Sequence, residues 1–154
     1  MKWLFLPLVL LGQVPVQVPE FTIVSLGLPP GALAMTWCEF GVPRTAIDAT
    51  LVGGPLETEV MVHEAYHRRQ FRRRQAQAHL PPDVCPPRMT TDQLLHEEIE
   101  AYCASLPFRV KRGETPEEAR GHYAAMLVNQ FYGRVMPANV VAEWLRGCPA
   151  TTAP

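Results

Sequence analysis

Apolar positions fall into short strand-like runs in the first third of the chain and into helical stripes afterwards. Glu20 to Leu26 reads as a strand, stopped by Gly27 and Pro29-Pro30-Gly31. Ala34 to Phe40, with Trp37, is a second. Thr45 to Val52 is a third, with Ile47, Ala49 and Leu51 alternating as in a half-buried strand. Gly53-Gly54 breaks that run, and Pro55 suits a first helical position, where a missing N–H costs nothing. Glu57 and Glu59 in the opening turns, and Arg68, Arg69, Arg72, Arg73 and Arg74 towards the end, follow the order the helix dipole favours. Val60, Met61, Val62, Ala65 and Tyr66 point nearly all round, so the first half of this helix is expected to be buried. The five arginines read as a solvated helix end, with contact to an anionic partner as the alternative.

The segment His79-Leu80-Pro81-Pro82-Asp83-Val84-Cys85-Pro86-Pro87-Arg88 is too rich in proline for a helix and reads as a stiff connector, with His79 a loop residue. Thr90, with Gln93 three residues on, caps a second helix whose apolar face is Leu95, Ile99, Tyr102, Cys103 and Leu106. Thr115-Pro116-Glu117-Glu118 starts a third helix with a cap, a first-turn proline and a glutamate at the third position. Its face is Ala119, Tyr123, Met126, Leu127 and Gln130, flanked by Phe131, and it is expected to end near Gly133. His122 reads as exposed and Tyr123 as core. A short last helix, Val140 to Arg146, stops at Gly147.

Chemistry enters in the first helix, which contains His63-Glu64-Ala65-Tyr66-His67. Residues four apart share a helix face, so His63 and His67 can offer two imidazole nitrogens to one ion. Glu64 is rotated about 100° from His63, within reach of water beside such an ion. Zn²⁺ suits these ligands, and a catalytic site wants a third protein ligand and an open position. Glu97, Glu98 and Glu100 on the second helix compete for that role. Glu98 borders the apolar face while Glu97 and Glu100 point away from it, which favours Glu98 as the inward ligand.

His63-Glu64-x-x-His67 followed by Glu98-Ile99-Glu100-Ala101-Tyr102 resembles the gluzincin pattern of zinc peptidases. In several branches, including the CAAX-prenyl endopeptidases, the distal glutamate opens a Glu-x-x-Ala-Asp or Glu-x-x-Ala-Asn segment. The resemblance spans roughly residues 45–106. It implies an α+β, zincin-like domain: a small N-terminal β-sheet, a metal-binding helix pair and two packing helices. It also implies Zn²⁺ on His63, His67 and Glu98, Glu64 as general base, and hydrolysis of a peptide bond in a peptide or protein substrate. Tyr102 stands where Asp or Asn is common, so no second-shell acceptor for a ligand histidine is assigned. An exposed sheet edge beside the ion would hold extended substrate, and Thr45–Val52 is the strand expected there. The rival readings are a secreted, disulfide-bonded binding module on this scaffold that no longer catalyses, and a protein whose zinc is purely structural.

Length and charge narrow this further. With 154 residues the chain suits one domain, and a net charge of −1 argues against nucleic acid as a partner. Lys2 followed by an almost wholly apolar Trp3–Leu11 resembles a signal peptide and is too short for a stable membrane span. The expected division is 1–18 leader, 19–148 zincin-like domain and 149–154 tail. The destination is then secreted or periplasmic, or the cytoplasm if 1–18 is not a leader. Cys38, Cys85, Cys103 and Cys148 fit two disulfides in an exported protein, with three connectivities open.

Overall fold

The computed structural model describes residues 21–24, 28, 32–128 and 138–149. The leader expected over 1–18 lies outside these residues, as do Gln130, Phe131 and the expected helix end at Gly133. Among the described residues the fold is α+β: a small sheet followed by four helices. Strands β1 (Phe21–Val24), β2 (Ala34–Glu39) and β3 (Val42–Asp48) form a sheet ordered β1-β3-β2, with β1 parallel and β2 antiparallel to β3. The third strand is therefore central, not the edge expected of Thr45–Val52. It also ends earlier, because Asp48 caps a 3₁₀ turn over Ala49–Leu51 by accepting from Thr50 N–H at 2.8 Å. Strand β2 is the edge on the side that meets the helices.

The β2–β3 hairpin turns through Phe40 (φ 49°) and Gly41 (φ 74°), both left-handed, as a tight primed turn requires. Gly41 is needed there for a second reason: a Cβ would sit 2.0 Å from the Pro82 carbonyl oxygen. The proline-rich connector is thus strapped against the hairpin. Gln75 Nε2 lies within 3.1–3.3 Å of the carbonyls of Gly41, Pro81, Pro82 and Val84, and a Cys38–Cys85 disulfide closes the strap.

Helix α1 (Glu57–Gln77) starts two residues later than Pro55 suggests, at Glu57, with Leu56 as an N-cap that makes no side-chain capping bond. Helix α2 (Thr91–Lys111) carries the full Thr90/Gln93 capping box and runs on through Pro107. Helix α3 (Pro116–Met126) begins with the Thr115/Glu118 box, and α4 is Ala138–Arg146. A second disulfide, Cys103–Cys148, ties α2 to the residue after Gly147.

The apolar core lies behind α2. Leu95, Ile99, Tyr102 and Leu106 pack with Ala119, Tyr123, Ala124 and Leu127 of α3 and with Val141, Leu145 and Cys148. Helix α1 is different from its expected pattern. Val60, Met61, Val62, Ala65 and Tyr66 are only half-buried, whereas Glu59, Glu64, Arg68 and Gln70 are buried beside Phe71. Wedged between sheet and α2, this helix buries polar side chains because each finds a partner. Glu59 accepts from Arg109 Nε at 2.9 Å and Tyr123 O–H at 2.6 Å, and also pairs with Arg112. The arginine cluster is likewise not all solvated: Arg68 is buried, and the half-buried Arg74 pairs with Glu97 at 2.6 Å.

Candidate metal centre

One turn of α1 sets His63 above His67, and α2 crosses so that Glu98 meets both. His63 Nε2 and His67 Nε2 are 3.0 Å apart. The Glu98 oxygens straddle the pair, Oε2 at 3.3 Å from His63 Nε2 and Oε1 at 3.5 Å from His67 Nε2. Ligand atoms about 2.0–2.1 Å from a tetrahedral Zn²⁺ lie about 3.3–3.4 Å apart, so these separations and this donor set fit that ion. Among the described residues this is the group of His, Cys, Asp and Glu side chains able to share one ion.

The three competing glutamates have distinct surroundings. Glu97, expected to point away, is buried at 8% exposure because Arg74 takes its charge. Burial pushes its carboxyl up, with Arg74 and His67 opposing. Glu100 is half-buried and accepts from Gln70 Nε2 at 3.0 Å and Arg73 at 3.1 Å. Only Glu98 faces the histidines. Burial raises its carboxyl, but the hydrogen bonds and charge of His63 and His67 prevail and bring it down to about 2. Burial lowers His67, yet Glu98, Glu64 and Gln70 together lift it above the usual imidazole value.

Glu64 is buried at the mouth of a hydrogen-bonded chain. Thr36 of β2 donates to Glu64 Oε2 at 2.5 Å. Its hydroxyl hydrogen being spent, Thr45 of β3 must be the donor across the 2.8 Å Thr45–Thr36 contact. Arg68 in turn donates to Thr45 at 3.0 Å. Two strands and a later turn of α1 therefore fix this carboxylate. His67 is held too, with Nδ1 at 2.9 Å from Gln70 Oε1. His63 is held otherwise: Nδ1 is buried with no hydrogen-bond partner among the described residues, and the ring packs 4.4 Å from that of Tyr102. Burial and the charges of Glu98, Glu64 and Glu59 push the Tyr102 phenol well up, so it stays neutral.

These side chains open onto a cavity of about 320 Å³. Its walls are largely apolar: Met35 and Trp37 of β2, Leu56 and Val60 of α1, and Met126 of α3. Of the residues singled out from sequence, His63, Glu64, His67 and Glu98 meet here, while His122 is exposed and His79 sits left-handed just beyond α1. Sequence reasoning missed Thr36, Thr45, Arg68 and Gln70. Gln70 alone left a local signal, lying three residues after His67 on the same helix face. No protein-family model, curated protein or solved structure matches the chain.

Proposed function

We propose that this chain is a zinc-dependent peptidase of the gluzincin type, on a zincin-like domain. The observation that carries the reading is the meeting of three side chains able to share one ion, with a buried glutamate one residue from the first of them. His63, His67 and Glu98 would hold the ion. A bound Zn²⁺ supplies Lewis acidity, making water acidic near neutral pH and polarising a carbonyl. Glu64, steadied by Thr36, takes the proton of the attacking water and returns it to the leaving amine. The order of sheet, motif helix and glutamate-bearing helix supports the resemblance.

The cavity supports one class of substrate over others. Its apolar walls suit a peptide carrying a large apolar side chain beside the scissile bond. Strand β2 contributes Ala34–Trp37 to the same cavity, and its outer edge would pair with extended main chain, the role first expected of Thr45–Val52. Two disulfides suit an oxidising compartment, in keeping with export, and no described helix is long and apolar enough to cross a membrane.

The test measures metal content and turnover on one sample, using a quenched peptide library with and without chelator. One equivalent of zinc and cleavage that chelator abolishes and zinc restores are expected. Zinc without cleavage would leave a structural metal site, and neither would leave a binding module.

A further inference from the structure

We propose that Gln70 is a positioning residue for the metal centre: it fixes His67 in the tautomer that presents the Nε2 lone pair to the ion. The proposal rests on the metal-centre reading above. Gln70 is 1% exposed, so its amide must be satisfied by protein. Its Nε2 donates to the Glu97 carbonyl at 2.8 Å and to Glu100 Oε2 at 3.0 Å. A main-chain carbonyl can only accept, and so can a carboxylate paired with Arg73 at 3.1 Å. Both amide hydrogens are therefore committed to α2, and the amide oxygen is the end that faces His67.

Turning the amide over would set Oε1 against two acceptors in a buried place, which costs more than any bond regained. An amide oxygen accepts, so the nitrogen 2.9 Å from it, His67 Nδ1, carries the hydrogen. A neutral imidazole has one N–H. Nε2 of His67 is then the lone-pair nitrogen, and it is the one facing His63 and Glu98.

His63 has no such lock. Its Nδ1 is buried without a hydrogen-bond partner among the described residues, and Tyr102 orients the ring by packing alone. The two motif histidines are thus unequal, one preset and one not. Helix α2 acts on the site twice, through Glu98 directly and through the Glu97 carbonyl and Glu100 by way of Gln70.

Two measurements test this on the full chain. Two-bond ¹H–¹⁵N correlation of the metal-free protein, at a pH where the ring is neutral, should show His67 protonated on Nδ1. Calorimetric titration with zinc should show Gln70→Met, which keeps the shape and loses the amide, binding about 10- to 100-fold more weakly. Arg69→Ala, an exposed change on the turn beside Gln70, should stay within about threefold of wild type. A neutral His67 carrying its proton on Nε2 overturns the proposal. So does a folded Gln70→Met that binds zinc as tightly as wild type. If Gln70→Met does not fold, the wild-type spectrum decides alone. Wild-type protein that binds no zinc would sink the metal reading itself, a separate result.

Discussion

Glu97, Glu98 and Glu100 lie within four positions of one helix, and alanine at each should leave a different signature. Glu98→Ala removes one of the three side chains able to share one ion. Loss of an outer partner of a metal ligand costs 10- to 100-fold in affinity, so loss of a ligand should exceed about 100-fold, or about 2.7 kcal/mol. Glu97→Ala leaves zinc binding within about threefold but strands Arg74, whose side chain is 25% exposed against 10% for Glu97. That pair falls between a surface ion pair, worth under about 1 kcal/mol, and a buried one, costing about 3–5 kcal/mol to break. A loss of about 1–2 kcal/mol is expected. Glu100, with its side chain 43% exposed, gives up contacts to Gln70 and Arg73 and should cost about 0.5 kcal/mol in stability, with zinc binding weakened by less than about tenfold because the Glu97 carbonyl still holds Gln70. The assay pairs zinc calorimetry with urea unfolding of the metal-free protein. Glu98→Ala retaining wild-type zinc affinity, or Glu97→Ala losing metal without losing stability, would refute the placement of α2 against α1.

Glu64→Gln should keep zinc affinity within about threefold while turnover falls about 10²- to 10⁴-fold, read by calorimetry and a peptide assay; unchanged turnover removes Glu64 as base. Thr36→Val takes away the donor at 2.5 Å from a buried carboxylate and should cost about 1.5–3 kcal/mol in urea unfolding, with Thr36→Ser restoring most of it. The metal-free protein should lose stability in acid through Glu98. Its folded carboxyl lies below the unfolded one, so the contribution is present above 4.5 and lost as pH falls to about 2, roughly 3 kcal/mol in all. His67 works in the opposite sense, its part being lost as pH rises through its raised value. Urea midpoints against pH for wild type and Glu98→Gln should converge towards the acid end; parallel curves would refute it.

Local signals were the legible ones. The caps at Thr90 and Thr115 are written within four residues, and both capping boxes form. The four-residue spacing of His63 and His67, and the inward bias of Glu98, likewise follow from the wheel of a single helix. What the wheel misplaced depended on a partner far along the chain. Glu97 is buried because Arg74 comes to it, and α1 is polar inside because Thr45, Arg109 and the Glu97 carbonyl wait there. No hydrophobic period encodes such pairings. The position of β3 was misjudged for a similar reason, since alternation shows which face a strand buries but not how many neighbours it has. The disulfide pairing belongs to the same class, being a matter of which elements meet.

The disulfides have a topological consequence for the site. Cys38–Cys85 and Cys103–Cys148 close two rings in series that do not overlap. His63, Glu64 and His67 belong to the first ring, while Glu98 sits on the open link between them. No covalent bridge shortens the path from the histidines to the glutamate. A single cut between residues 86 and 97 would part them even in oxidised protein, whereas a cut within either ring leaves one molecule. An ion shared by His67 and Glu98 would then act as a third cross-link, closing a loop of about 30 residues. The same closure by a covalent bond is worth about 3–4 kcal/mol. Chelation would in that case do more than silence the site: it would uncouple one ring from the other.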